Sequence, residues 1–377
     1  MRFADALSEH PVAAHAVGEV VGEVLDRIGP GADLVVLFAG AAHTGALDDI
    51  VRAVNDLLEP GLLVGCTAST VVGRSREVED AGGLSLWAAS GLRAEGYLLR
   101  AEESAIRGFP SAGELPEDAS ALLVLADPFT FPTEELLVGL REQAGIHLPV
   151  FGGLASAARG PGGNRLVRDH DVRTDGAVLA VLRGVEIETV VSQGCRPIGE
   201  PMIVTAGEGR VARELAGRPA LERVQDVLRA LSPDDLQLAQ RGLHIGRVVD
   251  ESKAHFGRGD FLVRSVLGAD SSNGAVAFGD EVEVGSTVQL QVRDALSADE
   301  DLRQLMAGRD ADAALVFTCN GRGTHLFGVP DHDATVVNDA LGSVPIAGMS
   351  CAGEIGPVGG RSYMHGFTAS IALFRRP

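Results

Sequence analysis

The sequence predicts an α/β protein whose mixed sheets are built from three β-α-β-β modules, with an antiparallel meander inserted before the third module. Three observations support this class. Short, strongly apolar runs alternate with helical stretches. The order strand, helix, glycine-led loop and strand recurs three times along the chain. Helical crossovers imply parallel strand pairs covered by helices, and the strand after each loop adds an antiparallel neighbour.

The three modules share their spacing as well as their order. The first strand and the glycine that opens the loop are separated by 31, 30 and 33 positions in the three copies. This spacing predicts that Gly65, Gly152 and Gly348 occupy equivalent positions. In the first module the first strand, the helix and the last strand are predicted at 34–40, 47–58 and 82–90. In the second module they are predicted at 121–128, 134–144 and 175–182. In the third module they are predicted at 313–323, 335–341 and 365–374.

The modules are flanked by further predicted elements. A helix over 12–28 precedes the first module, and a helix over 299–306 leads into the third. Ser232, followed by Pro233 and two aspartates, predicts a helix start with a side-chain cap. The meander strands are predicted at 186–193, 201–205, 244–249, 261–267, 274–278 and 287–293. We therefore expect two domains, one over 1–185 with two modules and one over 186–377 with the meander and the third module.

Composition excludes several classes of function. The 377 residues carry a formal net charge of −20, which disfavours nucleic acid and anionic membrane surfaces as partners. No apolar run approaches the roughly 20 residues that cross a bilayer. Asp5 and Glu9 interrupt the start of the chain where a signal peptide needs an apolar stretch, so we expect a cytoplasmic protein. The four cysteines predict thiols rather than a disulfide framework, and no cofactor is expected.

The segment 348–366 is the strongest candidate for a ligand site. Gly348 and Gly353 allow sharp turns and close approach to a ligand, and Ser350, Cys351 and Glu354 supply short polar or charged groups. The alternative is that the glycines only satisfy tight turns between strands.

A second strand end accompanies this segment. Asn320 and Arg322 follow the first strand of the third module, and in open α/β sheets ligands tend to bind beyond the carboxyl ends of strands. The two segments together favour an anionic or, because of Glu354, an amino-acid-like ligand.

Two arginines within predicted strands also suit an anionic small molecule. Arg264 and Arg293 carry planar guanidinium groups that bind carboxylate or phosphate in a fork geometry. The alternative is that each lies on a solvated face or pairs with a neighbouring acid, such as Asp270 or Asp294.

The cysteine and metal chemistry that the sequence suggests has simpler alternatives. Cys351 in a glycine-rich loop could serve as an acyl-transfer nucleophile if a histidine lay within reach, but buried, inert cysteine is the commoner case. Two Asp-His-Asp triplets, at 169–171 and 331–333, suggest a metal site. However, alternation along an extended strand would separate the side chains of one triplet, and Asp333 in the other is more simply interpreted as a helix N-cap.

Several segments make the chain resemble the FIST sensory family, with its N-terminal and C-terminal FIST domains. The most specific are FTCNGRG and GMSCAGEIGPVGG, and the resemblance covers nearly the whole chain. It extends over 194–206, 219–222, 261–270, 292–295, 317–323 and 348–360 and, more loosely, over LVVLFAG, GCTAS, FGGLAS and DGAVLAVL. The resemblance implies a sensory module that binds small ligands, such as amino acids or related metabolites, and feeds signal transduction.

Three hypotheses for function follow. The first is a ligand-binding sensor that acts through a separate signalling output protein, because the two FIST-like parts leave no room for an output domain. The second is a hydrolase or acyl-transferase that uses Cys351. The third is an interaction scaffold without a pocket. The first is preferred, with no catalytic residue, no nucleic acid partner and no membrane insertion.

Overall fold

The computed structural model describes residues 1–102, 105–109, 115–142 and 148–377. The mixed α/β class is confirmed. The helices are α1 (Ala13–Ile28), α2 (Leu47–Leu58), α3 (Thr133–Glu142), α4 (Ala220–Ala230), α5 (Pro233–Arg241), α6 (Ala295–Met306), α7 (Thr324–Phe327) and α8 (His332–Leu341). Among these helices of the described ranges, none has the length and apolarity that crossing a bilayer requires.

The strands alternate with these helices along most of the chain. They are β1 (Arg2–Ser8), β2 (Leu34–Gly40), β3 (Leu63–Ala68), β4 (Thr70–Gly73), β5 (Arg76–Glu79), β6 (Leu84–Ser90), β7 (Arg93–Glu102), β8 (Ala105–Arg107), β9 (Ala119–Ala126), β10 (Val150–Leu154), β11 (Leu166–Arg168), β12 (Asp171–Arg173), β13 (Ala177–Arg183), β14 (Glu186–Gln193), β15 (Cys195–Glu208), β16 (Val211–Leu215), β17 (Arg218–Pro219), β18 (Leu243–Val248), β19 (Phe261–Asp270), β20 (Ala275–Phe278), β21 (Thr287–Arg293), β22 (Ala313–Cys319), β23 (Ile346–Cys351), β24 (Glu354–Val358), β25 (Arg361–His365) and β26 (Thr368–Arg375).

Most predicted helices agree with the structure to within a few residues. The α2 helix has the predicted bounds, and α5 begins where the Ser232 hydroxyl accepts a hydrogen bond from the Asp235 N–H at 3.1 Å. The helix predicted over 134–144 corresponds to α3, but residues 143–147 lie outside the described residues. Helix α1 buries Val17, Val20 and Val24 on one stripe, which is the period expected of a helix packed on a sheet.

The chain forms two compact units, and each of them combines segments that are separated in the sequence. The larger unit comprises Met1–Val191, Leu302–Met364 and Ala369–Pro377. The smaller unit comprises Ser192–Asp301 and His365–Thr368. The strands of the third module therefore lie in the larger unit, together with those of the first two. The division into 1–185 and 186–377 stays a prediction about the order of domains along the chain.

The larger unit contains three sheets with the same internal order. They run β1-β6-β2-β3-β11-β12, then β8-β7-β13-β9-β10-β24-β25, then β14-β26-β22-β23-β4-β5. In each, a parallel pair joined through a helix (β2 with β3, β9 with β10, β22 with β23) lies at the centre. An antiparallel strand, β6, β13 or β26, flanks the first member of each pair.

The outer hairpin of each sheet comes from a different part of the chain. The β4–β5 hairpin directly follows β3 yet pairs with β23, at Ala347 opposite Gly73. The β11–β12 hairpin follows β10 yet pairs with β3, and the β24–β25 hairpin follows β23 yet pairs with β10. Each sheet thus receives the hairpin that belongs, by sequence, to another sheet. We call β4–β5, β11–β12 and β24–β25 the exchanged hairpins.

One core joins the three sheets. The rings of Phe38 on β2 and Phe151 on β10 both contact Phe317 on β22, with centroids 5.9 and 6.2 Å away. All three side chains are fully buried. Aromatic rings at such distances bury large apolar areas and prefer the tilted and edge-on geometries observed here. The same cluster includes residues from every module.

The three equivalent glycines lie within β3, β10 and β23 rather than in loops. A Cβ at Gly65 would lie 2.3 Å from the Leu37 carbonyl oxygen, and one at Gly348 would lie 1.9 Å from that of Val316. Gly152 has φ +134° and is equally close to its neighbouring strand. Glycine is therefore required by close strand approach, and because these strands are buried on both faces their sequence shows no alternation.

The smaller unit is a closed antiparallel ring of strands. Its sheet runs β15-β21-β18-β19-β20-β16-β17, and a further pairing of β15 with β16 closes it. Successive side chains alternate between the two faces of such a sheet. Ile245 and Leu290 belong to the apolar cluster on the inner face, whereas the neighbouring residues His244 and Gln291 lie on the opposite face, which includes Phe261.

Candidate functional site

The structure brings the two predicted strand ends of the third module together. The strands β22 and β23 are parallel, with Cys319 paired to Cys351. The Asn320 N–H then donates to the Cys351 carbonyl oxygen at 2.9 Å. Asn320 and Ser350 therefore lie at one edge of the sheet, as expected for the carboxyl ends of neighbouring parallel strands.

Arg322 has a buried carboxylate as its partner. Its Nε lies 2.6 Å and its Nη2 2.8 Å from the two carboxylate oxygens of Asp333, and both side chains are almost fully buried. The Nη1 atom has no hydrogen-bond partner among the described residues. Arg322 is thus held in a bidentate pair, so at most one of its nitrogens is left for a ligand.

Asp333 is not the helix N-cap. Helix α8 begins at His332, the cap position is occupied by Asp331, and Asp333 points inward to Arg322. The prediction of an N-cap was therefore wrong, because the sequence gives no sign of the arginine that Asp333 meets. Although burial opposes its ionisation, the Arg322 guanidinium holds the pKa of Asp333 at about 2.

A second buried acid lies near this pair and was missed by the sequence analysis. Glu77 on β5 accepts a hydrogen bond from the Ala334 N–H at 2.9 Å. Burial and the negative charge of Asp333 raise the pKa of Glu77 to about 7. In the sequence Glu77 is part of REVE, which reads as a solvated charged stretch, so no local signal marks it as buried.

The polar ends of β3, β10 and β23 meet in what we call the serine junction, formed by Ser69, Ser156 and Ser350. The hydroxyl oxygens of Ser69 and Ser350 lie 2.8 Å apart. The Ser156 hydroxyl donates to the Ser350 carbonyl oxygen at 2.6 Å. The chain ends of β3 and β10 in the first two modules thus adjoin the candidate segment 348–366. Their hydroxyls bond to one another and to the backbone, which fixes the three strands relative to each other.

The remaining residues of the predicted loop site are buried. Glu354 lies on β24 opposite Gly153, and its side chain is fully buried. The Gly353 carbonyl oxygen accepts a hydrogen bond from the Leu154 N–H at 2.8 Å. Gly348 serves close strand packing, as described above. The loop site built from 320, 322 and 348–354 stays a prediction.

Cys351 lies in a setting that disfavours a nucleophile. The residue is fully buried, and burial, with a further contribution from Glu354, raises the pKa of its thiol well above the usual value. The thiolate is the reactive form of cysteine, so this thiol is held in its unreactive form. Its close packing against Gly153, where an added Cβ would lie 2.3 Å from the sulfur, points to a role in the core.

Arg264 lies in the smaller unit, at a cavity on the inner face of the ring. The cavity has a volume of about 20 Å³, and we call it the arginine cavity. It is lined by Val204, Ile245, Arg247, Leu262, Arg264, Phe278, Asp280, Glu281, Val282, Ser286 and Val288. An apolar wall with a few polar groups is the usual composition of a small-ligand site.

The charged groups of the arginine cavity share one carboxylate. The Asp280 Oδ2 atom lies 3.6 Å from Arg264 Nε and 3.9 Å from Arg247 Nη2. The acid beside Arg264 is thus Asp280 rather than Asp270. Both distances exceed the 2.7–2.9 Å typical of a charge-assisted hydrogen bond. The Arg247 Nε is buried and has no hydrogen-bond partner within the described chain.

Arg247 was missed although a signal was present. Ile245 and Arg247 share one face of β18, and Leu262 and Arg264 share the same face of β19. The two strands pair with Ile245 opposite Arg264 and Arg247 opposite Leu262. Arg264 was a candidate because a guanidinium group within a predicted strand suits an anionic ligand, and the same reasoning applied to LHIGRV would have found Arg247.

Comparison with known proteins identifies the family. A family model described as the FIST N domain matches residues 33–218, and one described as the FIST C domain matches residues 220–357. The chain belongs to the FIST family of signal-transduction sensory domains.

Relatives of similar length occur in mycobacteria. The chain is 44% identical over 386 residues to "Uncharacterized protein Mb0898c" of Mycobacterium bovis, with 99% of each chain covered. It is 43% identical over 385 residues to "Uncharacterized protein Rv0628c" of Mycobacterium tuberculosis, with 99% of this chain and 100% of the relative covered. The similarity thus extends over both FIST domains.

Proposed function

We propose that the protein is a small-ligand-binding sensor in intracellular signal transduction, and that its ligand occupies the arginine cavity. The observation that carries this proposal is the pairing of an apolar cavity with two guanidinium groups on neighbouring strands. Binding pockets are commonly lined by apolar residues with a few convergent polar groups. The lining of this cavity fits that description, and the walls would have to move apart to admit a ligand because the volume is about 20 Å³.

The charges in the cavity favour an amino-acid-like ligand. Arg247 and Arg264 would bind a carboxylate, because a guanidinium matches its two oxygens. Asp280 and Glu281 would receive an ammonium group, and the apolar wall formed by Leu262 and its neighbours would cover a side chain. Binding would replace the loose contacts of Asp280 with shorter, charge-assisted hydrogen bonds.

The sensor acts through a separate output protein in this proposal. The two other candidate functions have less support. A cysteine-dependent hydrolase would need Cys351 as a thiolate, and its burial opposes that state. A scaffold without a ligand gives no reason for an arginine cavity with two guanidinium groups.

A ligand screen followed by calorimetry tests the proposal. Thermal-shift measurements with amino acids and related carboxylates should identify a stabilising compound, since a ligand at about 100 times its Kd stabilises the folded state by about 2.7 kcal/mol. The variants Arg247→Gln and Arg264→Gln should each bind it roughly tenfold to a hundredfold more weakly, because a charge-assisted hydrogen bond contributes about 1.5–3 kcal/mol. Arg229→Gln, on the exposed side of α4, is the matched control.

Binding that is equally tight in both cavity variants and in the control would refute the cavity as the site. In that case Asn320→Ala, at the predicted loop site, should be titrated with the same ligand. A loss of binding in Asn320→Ala alone would place the ligand at the carboxyl ends of β22 and β23 instead.

A further inference from the structure

The outer face of the strand ring in the smaller unit carries buried polar groups that the proposed function does not use. His244 on β18 and Gln291 on β21 are directly opposite each other, and 5% and 1% of their surfaces are exposed. In the described part of the chain, neither ring nitrogen of His244 has a hydrogen-bond partner, and the Nε2 atom of Gln291 has none either. A buried polar atom without a partner costs about 1–3 kcal/mol, so three on two neighbouring residues call for a physical explanation.

The backbone at Gly246 leaves room for the amide group of Gln291. A Cβ at Gly246 would lie 2.7 Å from the Gln291 Nε2 atom. Glycine at 246 therefore provides the space that the amide occupies. The amide nitrogen is a donor, so the space is arranged around a group that can donate a hydrogen bond.

Arg293 adds positive charge to the same face. It lies two residues after Gln291 on β21, and side chains at that spacing share a face of the sheet. Its guanidinium carbon is 5.2 Å from the centre of the Phe367 ring, and the His244 ring is 4.3 Å from the same ring, centroid to centroid. Phe367 thus contacts both residues.

The backbone at Phe367 is held in an uncommon conformation. Its φ is +68°, in the left-handed region that a bulky residue rarely adopts. The segment His365–Thr368 packs with the smaller unit although the residues before and after it belong to the larger one. Strain of this kind persists only where the surroundings impose it, and it is concentrated at ligand sites. Here it holds an aromatic ring against His244 and Arg293.

We propose that His244, Gln291 and Arg293 form an anion-binding site that takes one small oxyanion, a carboxylate or a phosphate, on the face of the sheet opposite the arginine cavity. The amide N–H of Gln291, the guanidinium of Arg293 and an imidazole N–H of His244 are the donors. Carboxylate and phosphate are the groups that a planar guanidinium recognises best. The site is independent of the ligand proposed for the cavity, because the side chains of the two sites lie on opposite faces.

The protonation of His244 gives a direct readout. Burial and the positive charge of Arg293 lower the pKa of His244 to about 4, so its imidazole is neutral at pH 7. A bound anion offsets that positive charge and accepts a hydrogen bond from the imidazolium. Binding should therefore raise the pKa of His244, and by linkage the anion should bind more tightly as the pH falls towards 4.

The experiment is a titration of the full chain followed by NMR of the histidine Cε1–H signals, with the His244 signal assigned from His244→Gln. Inorganic phosphate and acetate are compared with sodium chloride at equal ionic strength. Phosphate or acetate, or both, should raise the pKa of His244 by at least about one unit, and the two ions show which oxyanion is preferred. Chloride at the same ionic strength should not.

Two glutamine variants separate binding from folding. Gln291→Leu should weaken binding of the effective anion about tenfold or more, and without the anion it should melt at or above the wild-type temperature because it removes an unpaired buried donor. Gln240→Leu, on the exposed face of α5, is the matched control and should bind as the wild type does. The proposal is overturned if neither anion exceeds chloride in its effect on His244, or if Gln291→Leu binds as tightly as the wild type.

Discussion

Arg322 and Asp333 form a bidentate ion pair in which both side chains are almost completely buried, with nitrogen–oxygen distances of 2.6 and 2.8 Å. From its place at the end of a predicted strand, Arg322 is a candidate ligand contact. The structure makes it a residue on which the packing of α8 depends, since Asp333 lies in the first turn of that helix. Removing the Arg322 side chain leaves the buried Asp333 carboxylate without its arginine partner.

We predict that Arg322→Ala lowers the free energy of unfolding of the larger unit by about 3–5 kcal/mol, the usual cost of breaking a buried pair on one side. The double variant Arg322→Leu with Asp333→Leu should recover most of that loss, because it removes both charges together. Guanidinium denaturation followed by far-UV circular dichroism measures both. An Arg322→Ala protein that unfolds at the same guanidinium concentration as the wild type would contradict the proposed dependence of α8 packing on Arg322.

Glu77 predicts a dependence of stability on pH. Its pKa is raised to about 7 in the folded protein from about 4.5 in the unfolded chain. The folded state therefore binds more protons between these values, so the free energy of unfolding falls as the pH rises from 4.5 to 7. Asp333, whose pKa is lowered to about 2, acts with the opposite sign and only below about pH 4.

The variant Glu77→Gln should remove this dependence and raise the melting temperature at pH 8, while differing little from the wild type at pH 4.5. The stabilisation at pH 8 should be on the order of 3 kcal/mol. Glu9→Gln, at an exposed glutamate, is the control. Parallel stability profiles for Glu77→Gln and the wild type between pH 4.5 and 8 would show that Glu77 ionises normally in the folded state.

The glycines of the central strands should tolerate no side chain. Gly348→Ala would place a methyl group 1.9 Å from the Val316 carbonyl oxygen, so β22 and β23 would have to separate. We expect a loss of several kcal/mol or failure to fold. Gly22→Ala, in α1 where nothing lies within 4 Å, should instead stabilise the protein by about 0.5–1 kcal/mol. Thermal melts of the two variants give the comparison.

The cysteines should differ in reactivity according to their burial. Cys319 is partly exposed, whereas Cys66 and Cys351 are fully buried and burial raises the pKa of both thiols. Brief treatment with iodoacetamide at pH 7 should label Cys319 before either of them, as measured by mass spectrometry of the digested protein. Rapid labelling of Cys351 below pH 7 would support the hydrolase alternative.

The sequence predicted most of the helices, and strongly apolar strands such as β2, β9 and β22, because their apolar periods are local. It placed β3, β10 and β23 in glycine-led loops. It did not predict which sheet receives the hairpin of β4 and β5, because two four-residue strands carry no information about a distant partner. The closure of the ring by β15 and β16 was missed for a related reason. That pairing contains register shifts between Val204 and Gly207, which interrupt the alternation that marks a regular hairpin.

The candidate sites were predicted unevenly for physical reasons. Arg264 was a candidate because a guanidinium group within a predicted strand suits an anionic ligand, and it does line a cavity. Arg322 was a candidate because it follows the end of a predicted strand, but its partner Asp333 comes 11 residues later and only the fold brings the two together. Glu77 and Gln291 could not be recognised, since burial of a polar side chain depends on neighbours that are distant in sequence.

The exchanged hairpins affect how the chain folds during synthesis and whether a fragment of it can fold. The sheet around β10 is completed by β24 and β25, so it stays open at that edge until residue 365 has been synthesised. A fragment ending near residue 185 would expose that edge and would also leave β4 and β5 without the strand they pair with. Unpaired edges favour association with other chains. The three sheets are therefore expected to become stable together, late in synthesis, and not one after another from the amino terminus.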